Sequence, residues 1–219
     1  MQVGGELLPF KALLSSRDTE QSQGSSSIAV LVGGSSTGKT RACWEVLRLL
    51  RDRKPGWRLW HPIDPSRPEA ALRDLSSIGP RTVVWLNEAQ FYLDVAVGGL
   101  GEGIAAGLRE LLRDPAQAPV LVLATLWPQF WDRLTARPPA GAADPHAQAR
   151  DLLSGRDVSV PAAFTPTRLQ HLTQAQDTRL VQAAKAAQDG QVIQFLTFLD
   201  AAAPGYMTDA GWSSTAASL

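Results

Sequence analysis

Residues Gly33-Gly34-Ser35-Ser36-Thr37-Gly38-Lys39-Thr40 fit the pattern G-x-x-x-x-G-K-[ST], whose chemistry is phosphate binding. Gly33 and Gly38 admit backbone angles closed to residues with a side chain, so successive N–H groups can turn inward as an anion nest. A helix starting near Lys39 adds the positive end of its dipole. Lys39 is expected to reach the β- and γ-phosphates, and the Thr40 hydroxyl to bind Mg²⁺. The candidate nucleotide contacts are therefore Gly33, Gly34, Ser35, Ser36, Thr37, Gly38, Lys39, Thr40 and the adjoining Arg41. The bland alternative is a glycine-rich turn before an ordinary helix. The flanks favour binding: Ile28-Ala29-Val30-Leu31-Val32 reads as a strand, and Arg41 to Leu50 reads as a helix.

A nucleotide-hydrolysing site also needs an acidic group at the end of a neighbouring buried strand. Val83-Val84-Trp85-Leu86-Asn87-Glu88 supplies four apolar residues and then Asn-Glu. The first polar position usually holds an Asp that touches Mg²⁺ through water. Asn87 is neutral but still accepts a hydrogen bond from a Mg²⁺-bound water, so weaker Mg²⁺ binding is expected. Glu88 can orient or deprotonate the attacking water. Thr125 is polar after an apolar run and either senses a γ-phosphate or satisfies a strand end. The catalytic candidates are then Glu88, Lys39 and Thr125, and the metal candidates are Thr40 and, through water, Asn87. Arg133, Arg137, Arg150 and Arg156 are each either an arginine finger or a solvated charge. His146 reads as a loop residue, and His61 lies on an edge strand with no partner in view. The tryptophans Trp44, Trp57, Trp60, Trp85, Trp127 and Trp131 read as packing between sheet and helices, with adenine stacking the lesser reading.

Alternating strands and helices must position these groups. Strands are expected at 28–32, 57–63, 81–86, 119–126 and 156–161. Helices are expected at 38–52, 67–77, 101–113, 128–134, 166–176 and 177–199. Pro62 suits an edge strand. The nearly all-apolar strand at 81–86 suits a parallel strand buried on both faces. Such alternation implies an α/β fold with a parallel sheet. The domain reading is an N-terminal weak helix and polar linker (1–27), a nucleotide-binding core (28–164) and a C-terminal helical appendage (165–219).

Composition narrows the class. The chain has 219 residues, 44% hydrophobic and 19% charged, enough apolar surface for one core. Twenty-one basic and 21 acidic residues cancel, which argues against strong non-specific nucleic-acid binding. The single cysteine, Cys43, excludes a disulfide framework and suits a reducing, cytoplasmic setting. No apolar run nears the ~20 residues a bilayer requires, and no basic flank precedes an apolar core at the N-terminus.

Several stretches together resemble a group of actinobacterial P-loop ATPases akin to the STAND class of signalling NTPases, often linked to tetratricopeptide repeats. They are Ile28 to Ala42, Trp57 to Pro62, Arg81 to Gln90, Pro119 to Pro128 and Ala202-Ala203-Pro204-Gly205-Tyr206. The resemblance implies a three-layer P-loop sandwich with strand order 5-1-4-3-2, a helical lid, ATP with Mg²⁺, and switch-like use of nucleotide. It also implies that Asn-Glu is an ordinary form of the second motif. The helical segment between Phe195 and Ala201 is shorter than the group's lid, and no repeat array follows. The expectation is a compact or truncated member with a less enclosed nucleotide.

Three functions stay open on the residues. The first is an ATPase module acting as a regulatory switch, with protein partners or self-association as its output. The second is a small-molecule P-loop kinase, with Asp64 holding the acceptor. The third is a non-catalytic nucleotide-binding remnant.

Overall fold

The computed structural model describes residues 24–53, 56–62, 68–176 and 178–193. The expected N-terminal helix, most of the polar linker, Asp64 and everything from residue 194 onward lie outside them, including the lid segment and Ala202 to Tyr206. Five strands, β1 (Ser27–Val32), β2 (Arg58–Trp60), β3 (Thr82–Leu86), β4 (Val120–Leu126) and β5 (Asp157–Ser159), form one sheet. Every pairing is parallel, and the order is β2-β3-β4-β1-β5. That is the order 5-1-4-3-2 read from the other edge.

The helices of the sheet-bearing part are α1 (Lys39–Arg53), α2 (Pro68–Asp74), α3 (Gln90–Leu93), α4 (Leu100–Arg113), α5 (Pro128–Thr135) and α6 (Ala147–Leu153). Strand side chains alternate between faces, and the sequence sorts them. Val30, Val84, Leu86, Val122 and Ala124 join Ala71 of α2 and Ile104, Ala105 and Leu108 of α4 in one core. The alternate positions Leu31, Val83, Trp85, Leu121 and Leu123 are equally buried, as are Cys43, Val46 and Leu47 of α1. The rings of Trp44 on α1 and Trp85 on β3 lie 6.2 Å apart, which places α1 on that second face. Both faces of the sheet are therefore covered. This is why β3 and β4 are buried at every position and read as unbroken apolar runs.

The described residues 24–32 and 40–159 make one compact unit, and residues 33–39 with 160–193 make another. In the second unit, α7 (Pro166–Thr173) and α8 (Thr178–Ala186) pack through Leu169, Leu172 and Leu180 around Ala183, Ala184 and Ala187.

Some boundaries differ from the sequence reading. The helix expected over 177–199 stops at Ala186. Asp189 and Gly190 take left-handed angles (φ 51° and 70°), and Ala163 pairs with Gln191 in an antiparallel bridge. The Asp-Gly dipeptide is the turn signal that the apolar spacing ran across. The strand expected over 57–63 is only three residues long. Two short helices, α3 and α6, were not expected. The first turn of α6 depends on the Glu102 carboxylate, which accepts the Gln148 and Ala149 N–H groups at 2.8 and 3.1 Å. A cap delivered from another helix leaves no local signature.

Candidate nucleotide site

The loop between β1 and α1 takes left-handed angles at Gly38, as expected, but at Ser36 and not at Gly33, whose lack of a side chain serves close packing instead. Gly38 (φ 87°) and Ser36 (φ 54°) lie in the left-handed region. The Lys39 ammonium donates to the Gly33 carbonyl at 2.9 Å and the Gly34 carbonyl at 2.6 Å. The Thr37 hydroxyl donates to the Gly34 carbonyl at 3.1 Å. Lys39 is only 4% exposed. A cation taken out of water requires such partners, and the loop's own carbonyls provide them. Gly33 could not be another residue without movement: a Cβ there would lie 2.8 Å from the Val160 carbonyl oxygen and 2.9 Å from Thr37 Oγ1.

A second polar cluster sits at the C-terminal ends of β3 and β4, with the start of α1. Thr40 Oγ1 donates to Asn87 Oδ1 at 3.1 Å, and Thr125 Oγ1 donates to the same oxygen at 3.3 Å. Thr125 is fully buried, and its hydroxyl also accepts the Glu88 N–H at 2.7 Å. Its carbonyl accepts the Ala89 N–H at 2.8 Å. Glu88 itself has φ 55°, and its carboxylate Oε2 accepts from Gln90 Nε2 at 2.6 Å. β4 presents Thr125 here because it follows Leu123 by one pleat repeat, on the α1 face.

The residues fit a nucleotide with Mg²⁺. Residues 33–40 carry the glycine pattern whose backbone N–H groups take phosphate oxygens. The Thr40 hydroxyl and the Asn87 amide offer the oxygen donors a hard cation takes.

The remaining candidates are placed as follows. Ser35 and Ser36 are exposed on the loop, and Arg41 pairs with Glu45 along α1. Arg133 pairs with Asp94 at 2.7 Å. Arg150 pairs with Asp144 and donates to the Ala136 carbonyl at 2.8 Å. Beside that guanidinium the Asp144 carboxyl is held below the usual carboxylate range, and the Arg150 pKa is raised in turn. Both arginines are thus engaged in pinning their own segments, while Arg137 and Arg156 are exposed. His61 does have a partner: Nδ1 lies 2.8 Å from the Trp85 carbonyl, and its ring stacks on Trp85 at 4.9 Å. Gln90 escaped the sequence reading. Its only trace there is its place two residues after Glu88.

No protein-family model and no curated protein matches the chain. Solved structures do match. The ORC2 protein of Aeropyrum pernix, in ADPNP–ADP complexes, shares 15% identity over 88% of this chain and 58% of its own, with a TM-score of 0.56. Cdc6p from Pyrobaculum aerophilum also shares 15% identity, covering 88% of this chain and 58% of its own, with a TM-score of 0.50. The chain has the P-loop ATPase fold. It spans 58% of the length of each of these two neighbours, and at such identity the likeness is one of fold.

Proposed function

We propose that the chain is an ATP-binding P-loop module that hydrolyses ATP and serves as a regulatory switch. The observation that carries this reading is the hydrogen bond from Thr40 to Asn87. It joins the last residue of the phosphate-loop motif to the polar end of β3, the two places from which such a site is built. In this reading the N–H groups of residues 33–40 and the Lys39 ammonium hold the phosphates. Thr40 and, through water, Asn87 hold Mg²⁺, which neutralises charge on the phosphate oxygens when bound. Glu88 orients the attacking water and takes its proton. Thr125 positions both Asn87 and Glu88 through its buried hydroxyl.

ATP as the ligand is supported by the ADPNP–ADP complexes of the ORC2 neighbour and by the actinobacterial, STAND-like resemblance of the motifs. That resemblance also supports the switch role, a cytoplasmic setting, and an output through a protein partner or self-association. No helix among the described residues is long and apolar enough to cross a membrane.

Calorimetric ATP binding and phosphate release test the proposal. Lys39→Ala should lose binding by at least about 100-fold, since the charge-assisted contacts to phosphate go with it. Glu88→Gln should keep binding and lose turnover. Lys39→Ala binding as tightly as wild type would overturn the reading. Phosphate transfer that requires an added small-molecule acceptor would replace it with the kinase reading.

A further inference from the structure

Gln90 is 6% exposed and opens the short helix α3, whose Tyr92 and Leu93 belong to the core. Among the described residues its side chain has one hydrogen bond, from Nε2 to Glu88 Oε2 at 2.6 Å. Its other end, Oε1, is buried with no hydrogen-bond partner among the described residues. The amide cannot turn over, because that would set Oε1 against a carboxylate oxygen at the same short distance. An unsatisfied buried acceptor destabilises the fold. A methionine of similar volume would fill the space without that loss. A buried polar group with no structural return calls for a functional explanation, and the partner it does engage is Glu88.

We propose that Gln90 is the positioning residue for the Glu88 carboxylate. The Glu88 backbone is already fixed by Thr125, which takes the N–H groups of Glu88 and Ala89. Gln90 fixes the far end of the same side chain. With Oε2 held, Oε1 is the oxygen that accepts the proton from the attacking water. The inference rests on the reading of Glu88 as the water-activating group.

The test compares Gln90→Met, Gln90→Asn, Glu88→Gln and the double variant Glu88→Gln/Gln90→Met in melting temperature, ATP affinity and turnover. Gln90→Met should melt at or above the wild-type temperature, bind ATP within about twofold, and turn over at least about tenfold more slowly, the scale of a misplaced catalytic group. Gln90→Asn keeps the amide but withdraws it by one methylene, and should slow turnover in the same way. In the Glu88→Gln background, Gln90→Met should take nothing further from the residual rate. If Glu88→Gln turns over like wild type, the reading of Glu88 fails, and this inference with it. If Glu88→Gln is inactive but a stable Gln90→Met or Gln90→Asn keeps wild-type turnover, the role of Gln90 alone is overturned. A Gln90→Met variant that melts lower and loses rate equally in both backgrounds would make Gln90 merely structural and also overturn the proposal.

Discussion

The Thr125 hydroxyl accepts the Glu88 N–H at 2.7 Å, and so a strand residue holds a glutamate in the left-handed region at φ 55°. That conformation costs a residue with a Cβ about 1–2 kcal/mol. Strain of this kind persists only where the surroundings over-determine it. Here the Thr125 carbonyl adds a second bond, to the Ala89 N–H at 2.8 Å. One residue of β4 thus clamps two successive peptides at the end of β3.

Thr125→Val keeps the shape and removes the hydroxyl. It leaves the Glu88 N–H and one lone pair of Asn87 unsatisfied in a place where Thr125 itself is fully buried. The expected loss is about 1–3 kcal/mol, or several degrees in melting temperature at this chain length. Turnover should fall more than ATP affinity, because the loop at 33–40 is untouched. Thr125→Ser should recover most of both. Thermal melts and steady-state rates check this, and a Thr125→Val variant as stable as wild type would remove the clamp from the account.

Asn87 stands where a carboxylate is the usual metal partner, and its Oδ1 already accepts from Thr40 and Thr125. Asn87→Asp offers the same acceptor geometry and adds a negative charge. Mg²⁺ should then be needed at a concentration about tenfold lower for half-maximal phosphate release, as expected for a hard cation gaining a charged oxygen ligand. A Mg²⁺ titration of turnover in both proteins measures it. An unchanged requirement would detach Asn87 from the metal.

How much of this could be read from residues alone depends on how local each signal is. The strand–loop–helix at 28–53 is written in contiguous residues, and so is the apolar run of β3 ending in Asn87-Glu88. Both places are where the residues put them. The neighbours of Thr125 were not readable, because the register of β4 against β1 and β3 decides which strand ends meet. The partner of His61 comes from an adjacent strand for the same reason. Gln90 was invisible because burial, not type or spacing, makes it notable. Helix α6 depends on Glu102 from a distant helix, which no window of sequence contains.

The Asp144–Arg150 pair predicts a pH dependence. Arg150 lowers the folded-state pKa of Asp144, so the pair's contribution is present above the unfolded carboxylate value of about 4. It is lost as pH falls through the folded value. Asp144→Asn should therefore melt below wild type at pH 7, with the gap closing as the solution is taken below about pH 4. The gap should also shrink in ~1 M salt, since the pair faces solvent. Paired melts across pH decide it, and a gap that grows on acidification would contradict the sign.

Gly33 and Gly34 are adjacent in the loop, but alanine should separate them. At Gly33 the new Cβ would meet the Val160 carbonyl oxygen at 2.8 Å and Thr37 Oγ1 at 2.9 Å. Neither can yield cheaply: one is backbone, and the other donates to the Gly34 carbonyl. Gly33→Ala should cost about 1–3 kcal/mol, the range for overpacking, and should weaken ATP binding as the loop shifts. At Gly34 the nearest atom is Thr37 Cγ2 at 3.7 Å, an ordinary contact, and the carbonyl that receives Lys39 is kept. Gly34→Ala should stay within about 0.5 kcal/mol of wild type, as surface substitutions without a named penalty do. Melting curves with and without ATP separate the two. Equal effects of the two alanines would mean that the close approach of Val160 and Thr37 does not shape this loop.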